Sequence, residues 1–169
     1  MRGSVTVHMA ATPERIWELV SDVTRIGEYS PETFEAEWLD GAAGPAVGAR
    51  FRGHVRRNGR GPVYWTTCEV VACEPGRAFG FGVFTGDKHT SIWRYVLEPT
   101  DSGTDSGAGT DSDSTTGAGC DVTESFELLD VFWLRLYWKI LGWSRAKTNT
   151  NGMRTTLERI KAVAEAEAD

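Results

Sequence analysis

Glu124 is the residue of this chain whose neighbours most favour chemistry. It stands in an alternating run in which Val122, Glu124, Phe126 and Leu128 share one face of a strand, and Thr123, Ser125 and Glu127 the other. A carboxyl group held among apolar side chains is disfavoured in its charged form, so it keeps its proton to higher pH. In a cavity such a group gives or accepts a proton, or anchors a ligand hydroxyl. The alternative is that Glu124 lies near the sheet margin or pairs with an arginine and only helps to hold the strand. Tyr95 is the second candidate: Trp93, Tyr95 and Leu97 fall on one face of their run, and Ile92, Arg94 and Val96 on the other. Together Glu124 and Tyr95 are the expected general acid/base pair.

Other residue types that carry chemistry give weaker patterns. His8, His54 and His89 lie on three different strand-like runs, without the local spacing of a metal or catalytic motif, and are expected at the surface. Cys68, Cys73 and Cys120 are odd in number, form no CxxC pair and have no neighbouring histidine ligands. That argues against a disulfide framework or a zinc site and fits a reducing cytoplasm; no metal and no cofactor is expected. Gly80 and Gly82 flank Phe81 inside a strand and lack the strand-to-helix turn that a phosphate loop needs. Arg50, Arg52, His54, Arg56, Arg57 and Arg60 form a basic stripe, but no aromatic stacking positions are interleaved within it. It therefore reads as a solvated strand face with a charged turn rather than a nucleic-acid site.

A chain of 169 residues suits a single domain with a real core. Its formal charge is −6, and Asp101, Asp105, Asp111 and Asp113 supply four of those units from one tract. Neither nucleic acid nor an anionic membrane is favoured by such a charge. The first eleven residues lack the apolar run of a signal peptide, and no stretch reaches the roughly 18 apolar residues of a membrane span, so an intracellular protein is expected. Seven Trp, four Tyr and seven Phe demand an interior that houses large rigid groups, which are hard to close-pack without leaving space.

The elements that must position these residues follow from periodicity and turn chemistry. Ser4 to Met9 alternates as a half-buried strand. Thr12 and Pro13 open a helix whose apolar stripe is Ile16, Trp17, Leu19 and Val20, and Asp22 to Tyr29 forms a second short helix stopped by Ser30-Pro31. Strands are predicted over Thr33 to Asp40, Ala49 to Arg57, Pro62 to Glu74, Arg77 to Phe84, His89 to Glu98 and Cys120 to Asp130, separated by Asn58-Gly59, Pro75-Gly76 and Gly86-Asp87 among other turns. Short connections make neighbours antiparallel. Asp101 to Gly119 contains only Asp, Ser, Gly, Thr and Ala and is predicted as a flexible insert. A helix closes the chain, with Met153, Leu157, Ile160 and Ala164 at helical spacing. The class is α+β: a curved seven-stranded antiparallel sheet wrapped around a long C-terminal helix, with two short helices between the first two strands.

At this point the chain resembles the polyketide cyclase/dehydrase group of the START-like, or SRPBCC, superfamily, which has the helix-grip fold. The resemblance rests on Ala11-Thr12-Pro13-Glu14-Arg15-Ile16-Trp17, Tyr29-Ser30-Pro31-Glu32, Gly48-Ala49-Arg50-Phe51-Arg52-Gly53 and Pro75-Gly76-Arg77-Ala78-Phe79. Trp93-Arg94-Tyr95, Leu97-Glu98-Pro99 and Val122-Thr123-Glu124-Ser125 complete it. In such proteins the sheet and long helix enclose an apolar pocket, so the resemblance implies binding of a hydrophobic small molecule; it does not by itself imply catalysis.

Strand alternation assigns Trp93, Tyr95, Phe51 and Val55 to the concave interior, where they either line a pocket or fill the core. Tyr64, Phe81, Phe126 and Met153 join them in the expected ligand-binding set. The expected ligand is aromatic or polycyclic, and two functions stay open: a cyclase- or dehydratase-like enzyme, or a non-catalytic carrier or sensor of lipids or other hydrophobic ligands. The run Val131 to Trp143, broken only by Arg135, Lys139 and Gly142, reads as core, as a lid over the pocket mouth, or as a homodimer contact.

Overall fold

The first strand, β1 (Arg2–Met9), buries Val5, Val7 and Met9 and exposes Ser4, Thr6 and His8, as a period of two requires. The structure, a computed structural model, describes residues 2–59, 61–100, 119–129 and 134–166, and for 134–147 the helical course alone. After β1 comes α1 (Pro13–Ser21), capped by the Thr12 hydroxyl, which accepts the Arg15 amide at 3.3 Å. Ile16 and Leu19 on its inner face are almost fully buried.

The second expected helix is divided. Asp22 Oδ1 accepts from both the amide and the hydroxyl of Thr24, which starts a single 3-10 turn (Val23–Arg25) before the short α2 (Ile26–Tyr29). Ser30 Oγ then accepts the amides of Glu32 and Thr33 and turns the chain into β2. Gly27 lets this segment lie directly on the edge strand: a Cβ there would stand 2.2 Å from the Phe34 carbonyl oxygen. The helices thereby cover the outer backbone of β2.

The remaining strands are β2 (Thr33–Trp38), β3 (Arg50–Arg56), β4 (Val63–Glu74), β5 (Ala78–Thr85), β6 (Lys88–Thr100) and β7 (Gly119–Leu128). All seven predicted strands are present, with each end within two residues of the sequence reading. They form one antiparallel sheet in the order β1-β7-β6-β5-β4-β3-β2. Register shifts at Thr33/Glu35, Val70/Ala72 and Val83/Phe84 are bulges, which bend strands and strengthen twist. Gly119, grouped with the low-complexity tract in the sequence reading, is a β7 residue opposite Thr100; residues 101–118 lie outside the described residues.

The closing helix, α3 (Leu134–Ala166), has 33 residues and so is about 50 Å long. Met153, Leu157, Ile160 and Ala164 are all at most 1% exposed, and burying each of the three larger side chains contributes about 1.5–3 kcal/mol. Polar clamps fix its end: Lys161 Nζ donates to the His8 carbonyl at 2.9 Å, and Glu165 Oε1 accepts the Ala10 amide at 2.8 Å. The side chains of the run Val131 to Trp143 lie outside the described residues, although its part from Leu134 onward is helical.

Candidate functional site

Register across four adjacent strands builds the site. Val5 of β1, Glu124 of β7, Tyr95 of β6 and Phe79 of β5 are successive cross-strand partners, so their side chains form one row on the concave face. The next row holds Phe126, Trp93 and Phe81. Trp93 and Phe126 meet with ring centroids 5.4 Å apart, and Phe51 contacts Phe81 edge-on at 5.3 Å. Met153 reaches the same core from α3.

Glu124 is 4% exposed and Tyr95 is 6% exposed. The Tyr95 hydroxyl donates to Glu124 Oε1 at 3.1 Å, and Glu124 Oε2 is buried without a hydrogen-bond partner among the described residues. Glu124 therefore sits on β7, one strand in from the edge strand β1, and among the described residues it is paired with a phenol and not with an arginine. Burial pushes its carboxyl up to about 8, against a smaller lowering by the Tyr95 hydrogen bond. At pH 7 the neutral acid is therefore the favoured form. Burial, reinforced by the Glu124 charge, holds Tyr95 well above the usual phenol range.

Beside this pair is a cavity of about 20 Å³, lined among others by Leu19, Val23, Tyr29, Phe79, Tyr95 and Ile160. That volume is enough for about one water molecule and far below a polycyclic ligand. The sequence predicts a ligand-sized internal space; among the described residues aromatic rings meet here, Trp93 with Phe126 and Phe51 with Phe81. Tyr95 lines this cavity, whereas Glu124 does not.

The other expected lining residues are not brought to this point. Phe51 is buried one row further along, Val55 is half-buried near the end of β3, and its cross-strand partner Tyr64 is 36% exposed. Of the residues that line the cavity only Tyr95 and Phe81 belong to the expected set, which lacks the aromatic residues Phe79 and Tyr29. Phe79 belongs to an inward Phe79, Phe81, Val83 alternation that was legible in β5. Tyr29 follows Val23 and Ile26 at three-residue spacing, and its 2% exposure comes from tertiary packing.

On the convex face neighbouring strands supply what one strand's alternation hides. His54 of β3 is opposite Trp65 of β4 and stacks on it at 4.3 Å, Arg52 lies 4.4 Å from the Trp65 ring, and Phe34 meets His54 at 4.5 Å. Aromatic groups are thus interleaved with the basic stripe after all, but these contacts already occupy ring surface. Arg52 is also paired with Glu37, and His54 with Glu35. His89 departs from the expected surface position: its ring occupies the space a Gly82 Cβ would fill, and its Nε2 is buried. The three cysteines are free thiols, and burial raises Cys68 to about 12 and Cys120 to about 11, so neither is an activated nucleophile. Among the described residues no His, Cys, Asp and Glu cluster fits a metal, and no helix is long and apolar enough to cross a membrane.

Compared with known proteins, residues 2–165 match the family described as polyketide cyclase / dehydrase and lipid transport. The chain is similar to the polyketide cyclase-like protein Cgl2372 from Corynebacterium glutamicum, with 28% identity and TM-score 0.61 over 99% of this chain and 93% of that one. It shares its fold with DR_A0006 from Deinococcus radiodurans, at 14% identity and TM-score 0.61, over 96% and 95% of the two chains. The same holds for the di-domain ARO/CYC StfQ of the steffimycin biosynthetic pathway, at 13% identity and TM-score 0.63, where 99% of this chain covers 51% of that one. No curated protein matches.

Proposed function

The chain belongs to the polyketide cyclase / dehydrase and lipid transport family, and from that premise we propose that it binds a hydrophobic, oxygen-bearing ring compound between the concave sheet face and α3. The observation that carries this reading is Glu124: a carboxyl buried on an apolar face, with Oε2 unpartnered among the described residues. Leaving such a group in a core costs stability, which a purely structural site would avoid by using an apolar residue.

The residues support acid/base help to a folded ligand. Neutral Glu124 accepts from Tyr95 through Oε1; with the bond reversed, the carboxyl donates to the phenol oxygen and the Tyr95 O–H turns toward the cavity. A proton passed from Tyr95 to a ligand carbonyl oxygen is replaced on Tyr95 from Glu124, and the proton lost by the ligand carbon returns to the carboxylate by the reverse relay through Tyr95. Catalysis of this kind rests on orientation in a dry site. A second reading, a carrier without turnover, is favoured by the position of Glu124 behind Tyr95, outside the lining of the cavity.

Native mass spectrometry of the freshly purified protein tests the binding. The expected result is a small-molecule adduct that is lost on denaturation and is reloaded by a polycyclic ketone. An unliganded mass that no hydrophobic ring compound shifts would overturn the reading.

A further inference from the structure

Tyr29 carries a feature that neither packing nor the Glu124–Tyr95 pair explains. It is 2% exposed, it lines the cavity of about 20 Å³ that Tyr95 also lines, and its buried hydroxyl has no hydrogen-bond partner among the described residues. A phenylalanine would fill the same space without the cost of an unsatisfied hydroxyl. The cavity lies at the seam between the short helices, represented by Val23 and Ile26, and α3, represented by Thr156 and Ile160. Across that seam Arg159 Nη1 donates to the Tyr29 backbone carbonyl at 3.3 Å.

We propose that the hydroxyls of Tyr29 and Tyr95 form a two-donor subsite for a single ligand oxygen, a ketone or hydroxyl, and that the ring system it belongs to is admitted by parting the α2–α3 seam. The inference rests on the binding function above and adds to it a residue and a ligand class. A volume of about 20 Å³ matches one oxygen-sized group. A ketone oxygen has two lone pairs and accepts both phenols; a hydroxyl accepts one and donates to the other. The remainder of the ligand displaces apolar contacts of Val23 and Ile26 with α3, and Arg159 marks where the seam is tied.

The test compares two probes of similar size, 2-acetylnaphthalene and 2-ethylnaphthalene, by titration calorimetry on the wild type and Tyr29→Phe. The expected wild-type preference for the ketone is about a hundredfold, about tenfold from each of the two buried hydrogen bonds. In Tyr29→Phe the preference falls to about tenfold while 2-ethylnaphthalene binds as before. Equal affinity of the wild type for both probes, or an unchanged preference in Tyr29→Phe, overturns the subsite and leaves hydrophobic binding standing. Binding of neither probe overturns the binding function and the subsite with it. Arg159→Leu, which unties the seam, is expected to speed ketone association several-fold; an unchanged rate overturns the proposed route.

Discussion

Tyr95 and Glu124 are direct partners across β6 and β7, and their side chains are joined by a hydrogen bond of 3.1 Å inside the sheet's concave face. Because the pairing register sets this contact, a slip of one residue in β7 would send Glu124 to the convex face, and one in β6 would send Tyr95 there. The contact couples a proton to the folded state, and the first predictions follow from it.

The folded protein holds the Glu124 proton up to about pH 8, whereas an ordinary glutamate releases it near 4.5. Between those values the native state binds more protons than the unfolded chain, so stability falls as pH rises and the loss is complete above the folded value. The loss is on the order of a few kcal/mol. Glu124→Gln, uncharged at all pH, is expected to raise Tm at pH 9 relative to the wild type, with a much smaller difference at pH 5. Calorimetry at the two values checks the crossing dependence.

Tyr95→Phe removes the hydrogen bond that lowers the Glu124 value. The carboxyl is then expected to titrate at higher pH, and a carbon-13 carboxyl titration of labelled protein should show the inflection moving upward. An inflection that stays in place or moves down contradicts the described pairing.

Gly27→Ala places a methyl group where the Phe34 carbonyl oxygen would be 2.2 Å away. The backbone of β2 or of α2 must shift, at a cost of about 1–3 kcal/mol or more. Gly44→Ala, where nothing lies within 4 Å of the added carbon, is expected within about 0.5 kcal/mol of the wild type. Urea unfolding of the two variants makes the comparison.

Thr100 and Gly119 face each other across the β6–β7 ladder, so residues 101–118 join two points about 5 Å apart. Replacing them by a short turn is expected to leave Tm unchanged or slightly raised, because closure entropy grows slowly with loop length. A large fall in Tm would show that the tract contributes contacts to the fold.

Period-two alternation made Glu124, Tyr95, Trp93, Phe126 and Phe51 legible from sequence, since each strand's inward set follows from its own residues alone. What alternation leaves open is depth along the strand. Val55 and Tyr64 share the inward face with Phe51, yet they lie toward the sheet's end, where Tyr64 keeps 36% of its exposure. Nor does it report what packs from another element: Tyr29 enters the core from a four-residue helix whose position is set by Asp22, Gly27 and Ser30. The stack of His54 on Trp65 was hidden for the same reason, because it depends on the β3–β4 register and on neither strand by itself. How the rings meet is likewise beyond a count of aromatic residues, since rings that could enclose space also pack edge to face, as Trp38 and Phe81 do on Phe51.

The claim at the centre is that Glu124 is a neutral acid serving a bound hydrophobic ligand through Tyr95. Its most direct measurement is the affinity of 2-acetylnaphthalene from pH 6 to pH 9 in the wild type and in Glu124→Gln, with folding verified at each pH. The neutral acid leaves the Tyr95 O–H free to turn to the ketone, while the carboxylate holds it. Wild-type affinity is therefore predicted to fall about tenfold as pH rises through about 8, while Glu124→Gln stays flat. Identical pH profiles in the two proteins, or no saturable binding at any pH, would contradict it.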